Sequence, residues 1–266
     1  MQPGMFIDVT LKYVKYLLLS GHRKGHGLHS PFVFKLVSEV FRNKTNPDIV
    51  LMIEAIRKKL KSDHRFITVT DLGCGSSGMK TSKRKVSKIV RNSAVPKKYG
   101  LLLSNMSAEF GNPVIIEFGT SLGISTMYMA ASCPDAVVYT MEGCPETAEI
   151  ARKNFQEAGL KNVISLTGSF DQLLPRIITK AGKPGLVFID GDHRKAPLIN
   201  YFSQVAEISS GKTVVIIDDI HSSGEMEEAW SEIRKNDNVT FSVDLFRMGL
   251  VFFREGMNHI DYIIRY

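Results

Sequence analysis

Hydrophobic positions follow two different periods along the chain. In residues 6–62, apolar side chains recur at helical spacing in three segments, FIDVTLKYVKYLLL, SPFVFKLVSEVF and PDIVLMIEAIRKKLK. Ser30 and Pro31 stand where a helix takes its N-cap and its first residue, so the second segment predicts a helix beginning there. This part of the chain therefore predicts an N-terminal helical extension.

From about residue 112 the pattern changes to short apolar, β-branched runs that alternate with helical stretches. The runs are PVIIEF, AVVYTM, NVISLT, GLVFID and TVVIID. Their order predicts βαβ units on a parallel sheet, and the closely spaced NVTFSVDLF and RMGLVFFRE predict an antiparallel pair after them. We therefore expect an α/β fold, a doubly wound, mostly parallel seven-stranded sheet with a terminal antiparallel hairpin.

Changes in pattern and composition predict four parts of the chain. They are an N-terminal helical cap (1–65), a basic connecting segment with a flanking helix (66–111), a Rossmann-like domain (112–256) and a C-terminal tail (257–266). Apolar content of 44% and charged content of 23% are ordinary for a globular domain, so composition does not indicate a fibrous or disordered chain.

The net charge of +7 is unevenly distributed. Residues 1–110 contain 20 Lys and Arg against 7 Asp and Glu, whereas the rest contains 14 against 20. The basic part predicts either a solvated surface or a face for an anionic partner such as nucleic acid. The 3 cysteines have no metal or redox spacing, and the N-terminal apolar run is interrupted by lysines. We expect a cytoplasmic protein without a membrane span.

Two glycine-rich turns compete as a nucleotide-type site. DLGCGSSG (71–78) follows the run FITVT, but the basic segment after it predicts no second strand, and no Asp or Glu occurs between Leu72 and Ala108. IEFGTSLGIST (116–126) has a strand before it, a helix after it, and Glu142 at the end of the next strand. An adenosine site needs that acid for its ribose hydroxyls, so the second turn is the predicted site and the first a tight turn or lid segment.

The spacing of the second turn also indicates the kind of ligand. Dinucleotide dehydrogenases carry G-x-G-x-x-G, which brings the backbone close to a pyrophosphate. Here Gly119 and Gly123 are separated by Thr120, Ser121 and Leu122. This wider spacing favours a ligand without a pyrophosphate, such as an adenosyl amino acid.

Three aspartates follow two of the predicted parallel strands. Asp190 ends FIDGDH, and Asp218 with Asp219 ends VIIDDIH, so the carboxylates should converge at one sheet edge. Clustered carboxylates repel one another unless a cation or protons intervene, and oxygen ligands suit Mg²⁺ or Mn²⁺. The alternative is that some of them cap helices and bind a cofactor without metal.

Histidines occur near these aspartates and also in the N-terminal part. His193 and His221 could each act as a general base or be structural, since the pKa of histidine lies near neutrality. His22, His26 and His29 lie in a glycine-rich stretch, which favours a loop over one helical metal-binding face.

With these motifs in place, residues 96–254 resemble the class I S-adenosylmethionine-dependent methyltransferases. IEFGTSLGIST is similar to their first motif, Glu142 to their ribose acid, and LTGSFDQLLP to their adenine loop. FIDGDH, VVIIDDIH and the helix KKYGLLLSNM are similar to the catechol and caffeoyl-CoA O-methyltransferase branch and its bacterial relatives.

The resemblance implies a set of site residues. The implied S-adenosylmethionine-binding residues are Glu117, Gly119, Thr120, Ser121, Gly123, Glu142, Gly168, Ser169, Phe170 and Asp190. The implied ligands of a Mg²⁺ or Mn²⁺ ion are Asp190, Asp218 and Asp219, although plant and animal enzymes have Asp-Asn where this chain has Asp218-Asp219. The implied catalytic residues are His193, which replaces a lysine of the caffeoyl-type enzymes, and Asp190.

The predicted function is therefore O-methylation of a small hydroxylated molecule, with divalent-cation assistance left open. A nucleic-acid methyltransferase that uses the basic N-terminal part is one alternative, although the amino-methylating signatures NPPY and DPPY are absent from the sequence. A non-catalytic cofactor-binding module is the other. The sequence also leaves open whether the chain forms a homodimer.

Overall fold

The computed structural model describes residues 3–20, 30–71, 80–256 and 259–266, which divide into two compact units. The continuous unit is Asn43–Leu186, and the split unit is Met1–Arg42 with Val187–Tyr266. The four domains predicted from composition are not tested by this division and stay predictions.

Helices and strands alternate along most of the described chain. The helices are α1 (Pro3–Leu19), α2 (Pro31–Lys35, continued by a π-helical turn at Leu36–Val40), α3 (Pro47–Lys61), α4 (Val86–Ser93), α5 (Lys97–Phe110), α6 (Ile124–Ser132), α7 (Pro145–Glu157), α8 (Phe170–Ala181), α9 (Lys195–Ile208) and α10 (Gly224–Arg234). The strands are β1 (Phe66–Asp71), β2 (Lys80–Lys85), β3 (Val114–Phe118), β4 (Val137–Glu142), β5 (Val163–Thr167), β6 (Leu186–Ile189), β7 (Val214–Ile217), β8 (Phe241–Asp244), β9 (Gly249–Phe252) and β10 (Ile260–Ile263).

Helix starts follow the capping signals in the sequence. The predicted start of α2 is confirmed, because the Ser30 side chain accepts a hydrogen bond from the Val33 backbone N–H and Pro31 is the first helical residue. At α3 the Asn46 side chain accepts from the Asp48 N–H, and lysines occupy the last turn, where they oppose the negative end of the helix dipole. Local sequence therefore fixes where these helices begin.

In the continuous unit, β3, β4 and β5 are neighbouring parallel strands. Every residue of β3 is buried, as expected for a strand covered on both faces. The register places Glu117 opposite Thr140, and Glu142 opposite Thr167. This pairing brings the carboxyl ends of the three strands to the same edge.

The first glycine-rich turn joins two strands, and here one expectation was wrong. The sequence predicted no strand after DLGCGSSG, but Lys80–Lys85 form β2, antiparallel to β1 from Phe66↔Lys85 to Asp71↔Lys80. A lysine-rich strand escapes prediction by hydrophobic pattern because an exposed edge carries charged residues. The intervening residues 72–79 lie outside the described part of the chain, so the predicted turn or lid role is not described.

In the split unit, the strand order is β10-β8-β9-β7-β6. β8 and β9 form the predicted antiparallel hairpin, with Asp244 opposite Gly249, and the Phe241 and Phe252 rings stack at 4.4 Å. β9 is antiparallel to β7, and β10 is parallel to β8. The predicted mostly parallel α/β fold is confirmed, and β3 to β10 give eight strands where seven were predicted, β10 being the additional one.

Helix α1 packs within the split unit through specific contacts. The Tyr16 hydroxyl donates to the Ile264 carbonyl oxygen at 2.6 Å, and Lys12 forms an ion pair with Glu227 at 3.1 Å. The Tyr13 and Tyr16 rings contact the Phe246 ring. None of the described helices is long and apolar enough to cross a bilayer.

Candidate active site

The predicted cofactor turn leads directly from β3 into α6. Gly119 and Gly123 have φ values of +92° and +83°, and Ser121 has a φ of +47°. The N–H groups of Gly119 and Thr120 donate to the Met141 carbonyl oxygen at 3.0 and 3.1 Å. The turn is therefore anchored to the end of β4.

Gly123 is required for space as well as for conformation. A Cβ atom added there would lie 2.5 Å from a ring carbon of Phe155, which is far closer than van der Waals contact. Because Gly123 has no side chain, the start of α6 can pack directly against Phe155 of α7.

The Glu117 carboxylate lies under this turn and is inaccessible to solvent. It accepts hydrogen bonds of 2.5 to 2.6 Å from the hydroxyls of Ser125, Thr126 and Thr140. Thr120 in turn contacts Thr140 through their hydroxyl oxygens at 2.5 Å. The sequence predicted Glu117 as a cofactor-binding residue, and the structure places it as the acceptor that joins α6 to β4.

Burial raises the pKa of Glu117 to about 7, because the charged form loses its water, and the charge of Glu142 adds to this effect. The three hydroxyl donors act in the opposite direction. The carboxylate is thus held in a polar shell that offsets part of the cost of its burial.

The Glu142 side chain connects the turn to the end of the next strand. One carboxylate oxygen accepts from the Ser121 N–H at 2.7 Å and the other from the Cys144 N–H at 2.9 Å. The Glu142 backbone carbonyl accepts from the Gly168 N–H at 2.9 Å. One residue therefore joins the segments 119–123 and 142–144 to the loop before α8.

The loop before α8 contains the other implied adenine-side residues. Gly168 has a φ of +151°, and Ser169 is the residue before the first turn of α8. The Phe170 ring packs edge-on against the buried Phe118 ring at 5.3 Å. The structure thus brings together every implied cofactor-binding residue that belongs to the continuous unit.

The three predicted metal ligands belong to the split unit. The Asp218 N–H donates to the Ile189 carbonyl oxygen at 2.9 Å, so the ends of β6 and β7 are adjacent as predicted. Asp218 is 0% exposed, whereas the Asp219 side chain is 35% exposed and its backbone has a φ of +55°. Two consecutive carboxylates therefore have very different environments.

A basic residue that sequence reasoning missed lies against this pair. Arg247 Nε donates to Asp218 Oδ1 at 2.9 Å and Arg247 Nη2 to Asp218 Oδ2 at 2.6 Å. Arg247 Nη2 also lies 3.4 Å from Asp219 Oδ1. Burial and the charge of Asp219 raise the pKa of Asp218, while Arg247 opposes that rise. Two adjacent aspartates in the sequence indicate that a positive charge lies nearby. Sequence spacing could not identify Arg247 as its source, because Arg247 lies in the β8–β9 turn, far along the chain.

The residues present do not fit the predicted metal centre. Among the described residues, no group of three or more His, Cys, Asp or Glu side chains could hold a metal ion. Both oxygens of Asp218 already accept from the Arg247 guanidinium. The divalent-cation site therefore stays an unconfirmed prediction.

The two histidines considered as general bases have different environments. His193 is 43% exposed, and its Nε2 lies 3.8 Å from Asp190 Oδ1. His221 lies between carboxylates, with Nδ1 3.0 Å from Glu227 Oε1 and Nε2 2.9 Å from Asp244 Oδ2. Burial lowers the pKa of His221, but these two carboxylates outweigh it and raise the pKa overall. His221 is a half-buried residue that joins two carboxylates, and His193 keeps the more accessible ring. The residues His22, His26 and His29 lie outside the described part of the chain.

Comparison with known proteins gives a consistent result. Residues 116–220 match a family described as a methyltransferase domain. A catechol O-methyltransferase of Niastella koreensis is 32% identical over 115 residues, covering 42% of this chain and 51% of that protein. A catechol O-methyltransferase of Mycobacterium tuberculosis is 30% identical over 133 residues, covering 49% and 59%. The chain thus spans about half the length of the curated relatives it matches.

A solved structure supports the fold. An O-methyltransferase from Bacillus cereus in complex with SAH has a TM-score of 0.55 and 20% identity, covering 83% of this chain and 97% of that one. At this identity the likeness concerns the fold. Together with the sequence matches, it confirms the predicted resemblance to class I S-adenosylmethionine-dependent methyltransferases.

The crowding at Gly123 predicts a specific loss of stability. Gly123→Ala should lower the free energy of unfolding by about 3 kcal/mol, because strain at positive φ adds to the contact with Phe155. The matched control is Gly159→Ala, since Gly159 has a φ of +68° and open space around the added Cβ. The control should cost about 1 kcal/mol from backbone strain alone. Urea unfolding measures both, and equal losses would contradict the packing role of Gly123.

The raised pKa of Glu117 predicts a pH-dependent stability. Its folded-state pKa of about 7 exceeds its ordinary value of 4.5, so the unfolded chain releases this proton first as the pH rises. The contribution of Glu117 to the free energy of unfolding should fall by about 3 kcal/mol between pH 4.5 and 7.

Urea unfolding over this pH range measures the effect as a difference between wild type and Glu117→Gln, which has no charge to titrate. The difference in the free energy of unfolding between wild type and Glu117→Gln should change with pH. The free energies of wild type and of the exposed control Glu207→Gln should change with pH in parallel. Identical pH profiles for Glu117→Gln and wild type would show that Glu117 does not titrate as described.

Proposed function

We propose that this chain, whose residues 116–220 match a methyltransferase domain, is an S-adenosylmethionine-dependent O-methyltransferase of small hydroxylated molecules. The observation that carries the proposal is the Glu142 carboxylate, held beside the glycine turn by the Ser121 and Cys144 N–H groups. Two relatives named catechol O-methyltransferase support the acceptor class.

The Glu142 carboxylate is suited to a ribose diol. An ionised carboxylate has about four lone-pair positions, and the two backbone N–H groups occupy one on each oxygen. The side chain is half-buried, so it can accept further hydrogen bonds from ribose hydroxyls. Because both oxygens are already oriented, binding requires little rearrangement of this side chain.

The remaining implied cofactor-binding residues provide main-chain atoms and an aromatic ring that a bound cofactor could contact. Gly119, Thr120, Ser121 and Gly123 form a turn whose glycines allow a ligand to approach the main chain. Gly168, Ser169 and Phe170 lie at the end of β5, joined to Glu142 by the Gly168 hydrogen bond. We assign these segments to the amino-acid and adenosine parts of the cofactor.

Bound S-adenosylmethionine would supply an activated methyl group for an in-line displacement. In that displacement the acceptor oxygen would bond to the methyl carbon, sulfur would keep the electron pair of the broken carbon–sulfur bond, and the hydroxyl proton would pass to a base of this chain. The chain contributes by positioning reactants and excluding water, so no covalent intermediate is needed. His193 and Asp190 are the proposed catalytic pair, supported by their 3.8 Å separation and by the accessibility of the His193 ring.

Several predicted properties stay as predictions. A cytoplasmic location, a homodimer and a nucleic-acid partner for the basic N-terminal part are untested by the structure and the relatives. A divalent cation has no step in this account, because Asp218 is bonded to Arg247. The acceptor is proposed as a small molecule in line with the names of the relatives.

Calorimetric titration with S-adenosylmethionine tests the cofactor assignment. Glu142→Gln should weaken binding by about 10- to 100-fold, since it removes the charge that accepts hydrogen bonds. Glu149→Gln is the matched control, because Glu149 is exposed on α7 and pairs with Arg152 and Lys153. Unchanged affinity in a folded Glu142→Gln variant would remove Glu142 from the site.

Incubation with S-adenosylmethionine and a panel of catechols and phenols tests the reaction. Mass spectrometry should detect a methyl ether together with S-adenosylhomocysteine. Saturable cofactor binding without any methylated product would instead favour the non-catalytic binding module.

A further inference from the structure

The carboxylates at the ends of β6 and β7 obtain their positive charge from within the chain. Arg247 meets Asp218 with two parallel hydrogen bonds, of 2.9 Å to Oδ1 and 2.6 Å to Oδ2, and lies 3.4 Å from Asp219. Such fork-to-carboxylate pairs combine charge with fixed geometry. Because Asp218 is 0% exposed, it needs a permanent partner to stay ionised.

The neighbouring carboxylates also keep Arg247 positively charged. Burial lowers the pKa of Arg247, but the hydrogen bonds and charge of Asp218, followed by the charges of Asp219 and Asp190, raise it overall. The guanidinium is therefore a fixed cation that lies 2.6 Å from Asp218 and 3.4 Å from Asp219. It supplies the positive charge for which the sequence offered Mg²⁺ or Mn²⁺ as one of two alternatives.

The backbone around Arg247 is held firmly in place. Its carbonyl accepts from the Ile220 N–H at 3.2 Å, and its N–H donates to the Leu245 carbonyl oxygen at 3.0 Å. Asp244 Oδ1 accepts from the Phe246 N–H at 2.7 Å, while Asp244 Oδ2 contacts His221. These bonds tie the β8–β9 turn to the segment after β7.

The same turn contains an unfavourable backbone conformation. Phe246 has a φ of +70°, which a non-glycine residue adopts at a cost unless its surroundings enforce it. Its ring stacks on His221 at 5.3 Å and meets Tyr13 edge-on at 4.9 Å. The surroundings thus stabilise the turn that places Arg247.

A divalent cation and this guanidinium exclude one another. Mg²⁺ binds carboxylate oxygens at about 2.1 Å, so an ion on Asp218 would lie within a few ångströms of the Arg247 nitrogens. Each Asp218 oxygen accepts one hydrogen bond from Arg247, so an ion bound there would lie beside a guanidinium of like charge, and the two would repel strongly. Metal binding would require the bidentate pair to break and the half-buried guanidinium to find another partner.

We propose that Arg247 replaces the divalent cation in this chain, as a permanent counter-ion that positions Asp218 and Asp219. The carboxylate cluster then binds no Mg²⁺ or Mn²⁺. The further consequence, methyl transfer that needs no divalent cation, rests on the proposed function.

Titration of the full chain with Mn²⁺, followed by the electron paramagnetic resonance signal of the free ion, tests this proposal. Wild type should bind no Mn²⁺ at the cluster. In urea unfolding of the full chain, Arg247→Met should lower the midpoint urea concentration, because it leaves the buried Asp218 without its counter-ion, and a further Asp218→Asn change should restore most of that loss. The matched control is Arg234→Met, which breaks the Arg234–Asp261 pair of 2.8 Å and whose effect on the midpoint should simply add to that of Asp218→Asn.

Two results would overturn the proposal. One is stoichiometric Mn²⁺ binding by wild type that Asp218→Asn removes, and this titration decides the matter even if Arg247→Met does not fold. The other is a folded Arg247→Met variant whose midpoint equals that of wild type, or whose loss Asp218→Asn does not reduce. Neither reading depends on S-adenosylmethionine, so failure here is distinct from failure of the proposed function.

For the catalytic consequence, the rate of methyl transfer by wild type should be unchanged by excess EDTA and by added Mg²⁺. Complete loss of the rate in EDTA, restored by Mg²⁺, would refute cation independence.

Discussion

The carboxylate of Glu117 and its three hydroxyl partners determine how β3 passes into the glycine turn. Burying a carboxylate without partners is strongly unfavourable, and the Ser125, Thr126 and Thr140 hydroxyls offset part of that cost for Glu117. These contacts fix the first turn of α6 against β4. The positive φ angles at Gly119 and Gly123 then complete a turn of defined shape, on which the Glu142 contacts depend.

Two buried carboxylates in this chain are stabilised in different ways. Glu117 is surrounded by neutral hydroxyls, which leaves its pKa raised to about 7. Asp218 instead faces a guanidinium, which keeps a full positive charge beside it. The hydroxyls around Glu117 come from α6 and β4, the two elements that follow β3 in the chain. The guanidinium beside Asp218 comes from the β8–β9 hairpin. The first arrangement is local to the turn, and the second ties two strand connections of the split unit together.

Much of the fold follows from local pattern. Alternating apolar runs and helical stretches predicted β3 to β9, because buried parallel strands and their helices leave distinct periodicities. β2 and β10 were missed because their stability comes from pairing with a neighbouring strand and their own residues are polar or exposed. In the candidate site, Gly119, Gly123 and Glu142 could be identified from spacing. Arg247 could not, since its partnership with Asp218 is set by tertiary structure.

The central claim is that the turn from Gly119 to Gly123, with Glu142, binds S-adenosylmethionine. Chemical-shift mapping of ¹⁵N-labelled protein during titration with S-adenosylhomocysteine tests it most directly, because backbone amides report ligand contact residue by residue. The account predicts the largest saturable shifts at 119–123, 142–144 and 168–170. Largest shifts at 80–93 instead, with the glycine turn unaffected, would contradict it.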